Sequence, residues 1–190
     1  MPSPKITGDE FFSAFQVEWR RFCSQEHITG LTPWRDGRKS WTQKMLGNPN
    51  GFFHRVMYRL IRDDRHLEYW TERYSVDALY MGGKSLHNNN PSYPLEVHAL
   101  IEHEFDEDLE TEMWKLLHWR APLKVIVSYD WAEDEKTNKA KQNFLRDKIA
   151  CLRDMQSRVN AFHPECSDTE YLFIMSYREM RDGKLSWIRA

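Results

Sequence analysis

The feature that most constrains this chain is a change of period at its centre. From Leu95 to Glu104, Leu95, Val97, Ala99 and Ile101 fall on one face, and Glu96, His98, Leu100, Glu102 and Glu104 on the other. A period of two is that of a β-strand. The period then lengthens: Leu109, Met113, Leu116 and Leu117 make the apolar stripe of a helix over about Asp108–Trp119, which Ala121-Pro122 ends. Lys124–Tyr129 follows as a short, nearly continuous apolar strand. Strand, helix and strand in succession predict a right-handed crossover that joins parallel neighbours.

The flanks extend this pattern. Tyr74–Met81 reads as a strand, and Gly82-Gly83 with Asn88-Asn89-Asn90-Pro91 makes a loop short enough for an antiparallel pair. Thr7-Gly8-Asp9-Glu10 fits a capping box before the stripe Phe11, Phe12, Phe15, Trp19 and Phe22. The turn Asn48-Pro49-Asn50-Gly51 precedes Phe53, Val56, Met57, Leu60 and Ile61 at helical spacing, while Thr32–Leu46 reads as irregular. A long helix runs from Thr137 to about Phe162 on Ala140, Phe144, Ile149, Leu152, Met155 and Val159. Strands Tyr171–Tyr177 and Leu185–Ile188 close the chain around an Asp182-Gly183 turn. The expected order is α, α, β, β, α, β, α, β, β: an α/β fold with a mixed central sheet flanked by helices. No linker or repeat divides the chain, so one domain is expected over 1–190. It has an N-terminal helical region over 1–50, a core over about 51–129, and a C-terminal helix and hairpin over 137–190.

Composition narrows the function classes. Aromatic residues at 14% exclude a disordered chain, and no apolar run approaches the ~20 residues that span a bilayer. Met1-Pro2-Ser3-Pro4-Lys5 lacks the apolar segment of a secretory signal. Cys23, Cys151 and Cys166 are odd in number and lack CxxC spacing, which argues against a disulfide framework and for a cytoplasmic setting. Cys151, within the long helix, is expected in the core. The formal net charge of −2 disfavours binding of nucleic acid through overall charge, so any such contact must be local. The charges are in fact segregated. Residues 33–65 hold eight basic and three acidic side chains, a net of +5, and residues 96–112 hold eight acidic side chains and no Lys or Arg. Two solvated faces, or a basic approach surface beside a cation-binding centre, both fit that division.

Three carboxylates carry the chemistry. Glu102 and Glu104 are two apart on one strand, so both project from one face near its C-terminal end. Asp77 lies among Val76, Ala78, Leu79 and Tyr80, where burial demands a partner or a cation. If the two strands pair with Asp77 on the face of Glu102, the two carboxylates can share one Mg²⁺, which takes oxygen ligands in near-octahedral geometry. Proximity of like charges then raises at least one carboxylate pKa, and a cleft lined by Asp77, Glu102 and Glu104 is expected. A backbone-satisfied Asp77 beside two solvent-facing glutamates is the alternative.

These residues resemble a known family. Tyr74-Ser75-Val76-Asp77-Ala78-Leu79, then Val97-His98-Ala99-Leu100-Ile101-Glu102-His103-Glu104, a helix, and Lys124-Val125-Ile126-Val127-Ser128-Tyr129 are similar to the PD-(D/E)XK nuclease superfamily, over roughly Gly51–Tyr129. That fold is built on a helix, a strand hairpin, a crossover helix and another strand. The resemblance implies a restriction-endonuclease-like core and Mg²⁺- or Mn²⁺-dependent hydrolysis of phosphodiester bonds, in DNA. It puts Asp77 and Glu102 on the metal, and leaves a homodimer open. The motif lysine position is Glu104 here, as in some restriction endonucleases, and the usual proline before Asp77 is Val76. Glu104 would hold a second metal or act as a base on water.

Two lysines could replace the missing one. Lys124 starts a strand parallel to the one Glu104 ends, which sets it at the opposite end of the sheet. Lys115 projects nearly opposite the helix's apolar stripe and reads as a solvated lysine near Glu112, although the motif lysine moves onto this helix in parts of the superfamily. Arg35, Arg38, Lys39, Lys44, Arg55, Arg59 and Arg62 would meet the DNA backbone, with Trp34 and Trp41 among them for stacking. His98 and His103 fall on opposite strand faces and cannot chelate one ion together. A catalytically silent nuclease fold used as a binding module, or a protein whose acidic segment docks on a basic partner through Asp106, Glu107 and Asp108, are the competing readings.

Overall fold

The computed structural model describes residues 4–25, 37–82, 96–104, 109–129, 135–164, 168–181 and 185–190. Arg35, Trp34, Asp106–Asp108, Cys166 and the turns at 88–91 and 182–183 lie outside them, as does the side chain of Arg38. The chain is mixed α/β. Among the described residues six strands, β1 (Leu67–Arg73), β2 (Val76–Gly82), β3 (Val97–Glu104), β4 (Leu123–Ser128), β5 (Glu170–Arg178) and β6 (Leu185–Arg189), lie in the sheet in chain order. The first three pair antiparallel, β3–β4 and β4–β5 pair parallel, and β5–β6 pairs antiparallel.

Helices cover both faces. On one lie α1 (Gly8–Gln25), α2 (Arg38–Leu46) and α3 (Phe52–Leu60); the parallel crossovers α4 (Leu109–Leu117) and α5 (Asn138–Phe162) lie on the other. The strands divide accordingly. Ala99, Ile101, Val125, Val127, Leu172 and Ile174 join the first layer, and Leu100, Ile126, Phe173 and Met175 the second. Burial on both faces is why β4 reads as an unbroken apolar run.

The capping box is present: the Thr7 amide donates to Glu10 Oε2 and the Glu10 amide to Thr7 Oγ1, each at 3.2 Å. Phe15, Trp19, Phe22, Phe52 and Trp41 then form an aromatic cluster, each worth about 1.5–3 kcal/mol when fully buried. Two elements depart from expectation. Residues 38–46 are helical because Trp41, Met45 and Leu46, all buried, anchor that stretch to the cluster despite its polar sequence. Leu67–Arg73 is an edge strand whose Leu67 and Tyr69 face the core while Glu68, Glu72 and Arg73 dilute its apolar signal. Cys151 is exposed on the outer face of α5 rather than in the core. Among the described residues no helix is long and apolar enough to cross a membrane.

Candidate active site

β1 and β2 are joined by a two-residue turn in which Tyr74 (φ 55°) and Ser75 (φ 62°) are both left-handed. Such a turn matches the twist of the hairpin but suits Asn-Gly far better than Tyr-Ser, so the site entrance carries backbone strain. Two residues on, the ladder Ala78↔Ile101, Leu79↔Leu100 leads to Asp77 beside Glu102. Side chains close it: the Asp77 amide donates to Glu102 Oε2 at 3.1 Å, and the His103 amide donates to Asp77 Oδ2 at 2.9 Å. The His103 ring nitrogen Nδ1 lies 3.3 Å from that same oxygen, and Phe53 and Tyr129 hold the ring edge-on.

Glu102 is fully buried, and only Asp77 and Glu104 reach the surface in part, so the three do not line one open cleft. From α4 come Glu112 and Lys115, whose ammonium pairs with Glu112 and lies 3.6 Å from Glu102 Oε1. Sequence projection set Lys115 away from the core. In the fold Glu112 is itself buried, so the helix meets the sheet over a wider arc, and the long lysine stem reaches round its flank. The sequence placed Glu112 only as a neighbour of Lys115 and His103 only as a histidine that cannot share an ion with His98; neither was expected beside Asp77 and Glu102. A buried acid three residues before a lysine was the available signal.

The electrostatics follow from burial and count. Burial pushes Glu102 up to about 9, with Asp77 and Glu112 adding to the shift and Lys115 and the Asp77 amide opposing it. Glu112 is raised mainly by burial, partly offset by Lys115. Asp77 moves the other way: burial raises it, but the hydrogen bonds and charge of His103, with Lys115 beyond, hold it below the ordinary carboxylate range. Lys115 loses some affinity for its proton through burial and more than regains it from Glu112, Glu102 and Asp77.

Among the described residues no three of His, Cys, Asp and Glu converge on one metal position. Asp77 and Glu102 still match the one or two carboxylates that Mg²⁺ commonly takes from protein, and Glu102 Oε1 is a buried oxygen with no hydrogen bond. Glu104 ends β3 in register with Ser128, whose buried Oγ also has no hydrogen bond among the described residues. Lys124 sits at the far end of β4, buried, and donates to the Tyr171 hydroxyl at 3.0 Å.

The basic segment is largely used internally. Arg59 pairs with Glu18, which also faces Arg55 at 3.8 Å and Arg21 at 3.4 Å. Arg62 and Arg65 both pair with Glu10, and the buried Arg65 donates to the carbonyls of Pro4, Lys5 and Leu60. Trp41 is 1% exposed and offers no stacking face, whereas Lys39 and Lys44 stand on the surface. His98 and His103 do sit apart, His98 being buried near Glu96 at 3.5 Å. Compared with known proteins, the chain matches no family model, no curated protein and no solved structure.

Proposed function

We propose that the chain is a metal-dependent nuclease of the PD-(D/E)XK type that hydrolyses phosphodiester bonds in DNA. The observation that carries this reading is the meeting of Asp77, Glu102 and Lys115 from three elements, two adjacent strands and the crossover helix, around buried carboxylate oxygens. The order α3, strand hairpin, α4, β4 also supports a restriction-endonuclease-like core.

Asp77 and Glu102 would hold Mg²⁺ or Mn²⁺, which when bound supplies positive charge to the phosphoryl oxygens and acidity to water. His103 fixes the Asp77 carboxylate through its amide and ring. Glu112 steers the Lys115 ammonium towards Glu102, where it is placed to donate to a scissile phosphate, the role the motif lysine would otherwise fill. Glu104, on the same strand face as Glu102, is placed to accept a proton from the attacking water. Lys39, Lys44 and the outward sides of Arg55, Arg59 and Arg62 would meet backbone phosphates.

Cleavage of labelled single- and double-stranded DNA with Mg²⁺ or Mn²⁺ tests this reading. Asp77→Asn, Glu102→Gln and Lys115→Met should each lower the rate about a hundredfold or more while circular dichroism stays unchanged. Wild-type protein inert on DNA and RNA with either ion overturns the proposal and leaves the silent binding module.

A further inference from the structure

A strand period of two puts Asp77 on the face of Leu79, Glu102 and Glu104 on that of Leu100, and Ser128 on that of Ile126. All of them turn towards the layer of α4. From that helix comes the Lys115 ammonium, which pairs with Glu112, lies 3.6 Å from Glu102 Oε1 and also acts on Asp77 through its charge. Two fully buried residues in this arrangement hold an oxygen without a hydrogen bond among the described residues: Glu102, at Oε1, and Ser128, at its hydroxyl. An ammonium at 3.6 Å offsets charge but is too distant to be a hydrogen-bond donor. A divalent cation takes oxygen ligands at about 2.1 Å and keeps waters whose protons serve neighbouring acceptors.

The two cations compete for one oxygen. An ion held by Glu102 Oε1 would stand within about 6 Å of the ammonium, close enough in a half-buried site for strong repulsion. The partners differ in freedom. Glu102 is fully enclosed on β3, whereas 31% of the Lys115 side chain is exposed on the flank of α4. A lysine stem can stay packed while its head moves into water. The lysine is therefore the member that yields.

We propose that Lys115 is the counter-ion of Glu102 in the metal-free protein, and that a divalent cation binds by turning the ammonium off Glu102 towards water. The inference rests on the nuclease reading in taking Asp77 and Glu102 as the metal ligands. It adds that the lysine lowers metal affinity, and that metal binding is what releases it to a phosphate.

Mn²⁺ binding is measured on the full chain by the spin resonance of the free ion, at neutral pH and without nucleic acid. Lys115→Met should bind Mn²⁺ about tenfold more tightly than wild type, and Lys115→Arg, which keeps the charge, no more tightly. The proton that competes for Glu102 carries one charge, so it gains less than the ion from the loss of the lysine. Lys115→Met also strips three carboxylates of their lysine, so the wild-type chain supplies a second measurement. Acetylation of Lys115, followed by mass spectrometry, should run about fivefold faster in saturating Mn²⁺ than in EDTA. Equal or weaker Mn²⁺ binding by Lys115→Met, or acetylation that the ion leaves unchanged or slows, overturns the proposal and leaves the metal ligands standing. No Mn²⁺ bound by either chain removes both. Tighter binding by Lys115→Met, in a protein whose wild type cleaves no nucleic acid, keeps the displaced lysine and removes the nuclease.

Discussion

Two regions of the molecule gather charge, and they resolve it in opposite ways. Between α1 and α3 one buried carboxylate, Glu18, faces three guanidinium groups, and Glu10 faces two more. The open groove there, about 450 Å³, has Asp9, Glu10, Arg59 and Arg62 along its walls, so both signs of charge are present. Between β2, β3 and α4 the ratio is inverted: Asp77, Glu102 and Glu112 share Lys115. The first region pairs its charges across α1 and α3, although Glu18 Oε2 and Arg55 Nε, 3.8 Å apart, make no hydrogen bond. The second buries its carboxylates around Lys115: burial first, then the neighbouring Asp77 and Glu112, push Glu102 up to about 9. A surplus of buried acid is what an incoming cation relieves; a surplus of half-exposed arginine is relieved by water.

The largest effect that sharpens this contrast is expected at Glu18. Glu18→Ala leaves Arg21, Arg55 and Arg59 facing one another. Because those groups are partly exposed, the loss should be about 2 kcal/mol, read from the urea midpoint. An unchanged midpoint would mean that the arginines are content with solvent alone, and the contrast collapses.

A subtler effect is expected from pH. Glu102 keeps its proton in the folded chain up to about 9, whereas an unfolded glutamate releases it near its ordinary value of 4.5. Between those values the folded state binds the extra proton, so metal-free stability should fall as pH rises, and the fall should end near 9. Glu102→Gln should flatten that slope, which thermal midpoints in EDTA from pH 5 to 9 would reveal. A wild-type slope no steeper than the variant's places the proton elsewhere. The smallest effect belongs to Ser128→Ala, which removes a buried hydroxyl without a hydrogen bond and should leave stability within about 0.5 kcal/mol of wild type, or slightly above it.

Much of this was legible in the residues, and the exceptions have physical causes. The alternation of β3 and the run of β4 carried the parallel crossover because each strand face is dictated by one packing layer. Asp77 and Glu102 were legible as neighbours because an antiparallel ladder fixes which residues oppose one another. Lys115 was misplaced because a helical wheel locates Cβ, and a four-carbon stem does not end where its Cβ points. Trp41 was misjudged since basic neighbours suggested a surface, while the aromatic cluster across the fold supplied the burial. The α2 helix and β1 were hidden for a related reason: tertiary contacts, not local preference, hold them.

Strand order in the sheet equals strand order in the chain, and this bears on how the protein is made. During synthesis each new strand can add to an edge that already exists, without threading between earlier ones. The last strand then has a particular task. Trp187 on β6 closes against Phe15 and Trp19 of the first helix and against Tyr129, and Arg189 pairs with Asp9. The aromatic cluster founded by the earliest residues therefore stays unsealed until β6 arrives, so a nascent chain halted before that strand would present its first helix to chaperones with one side still open.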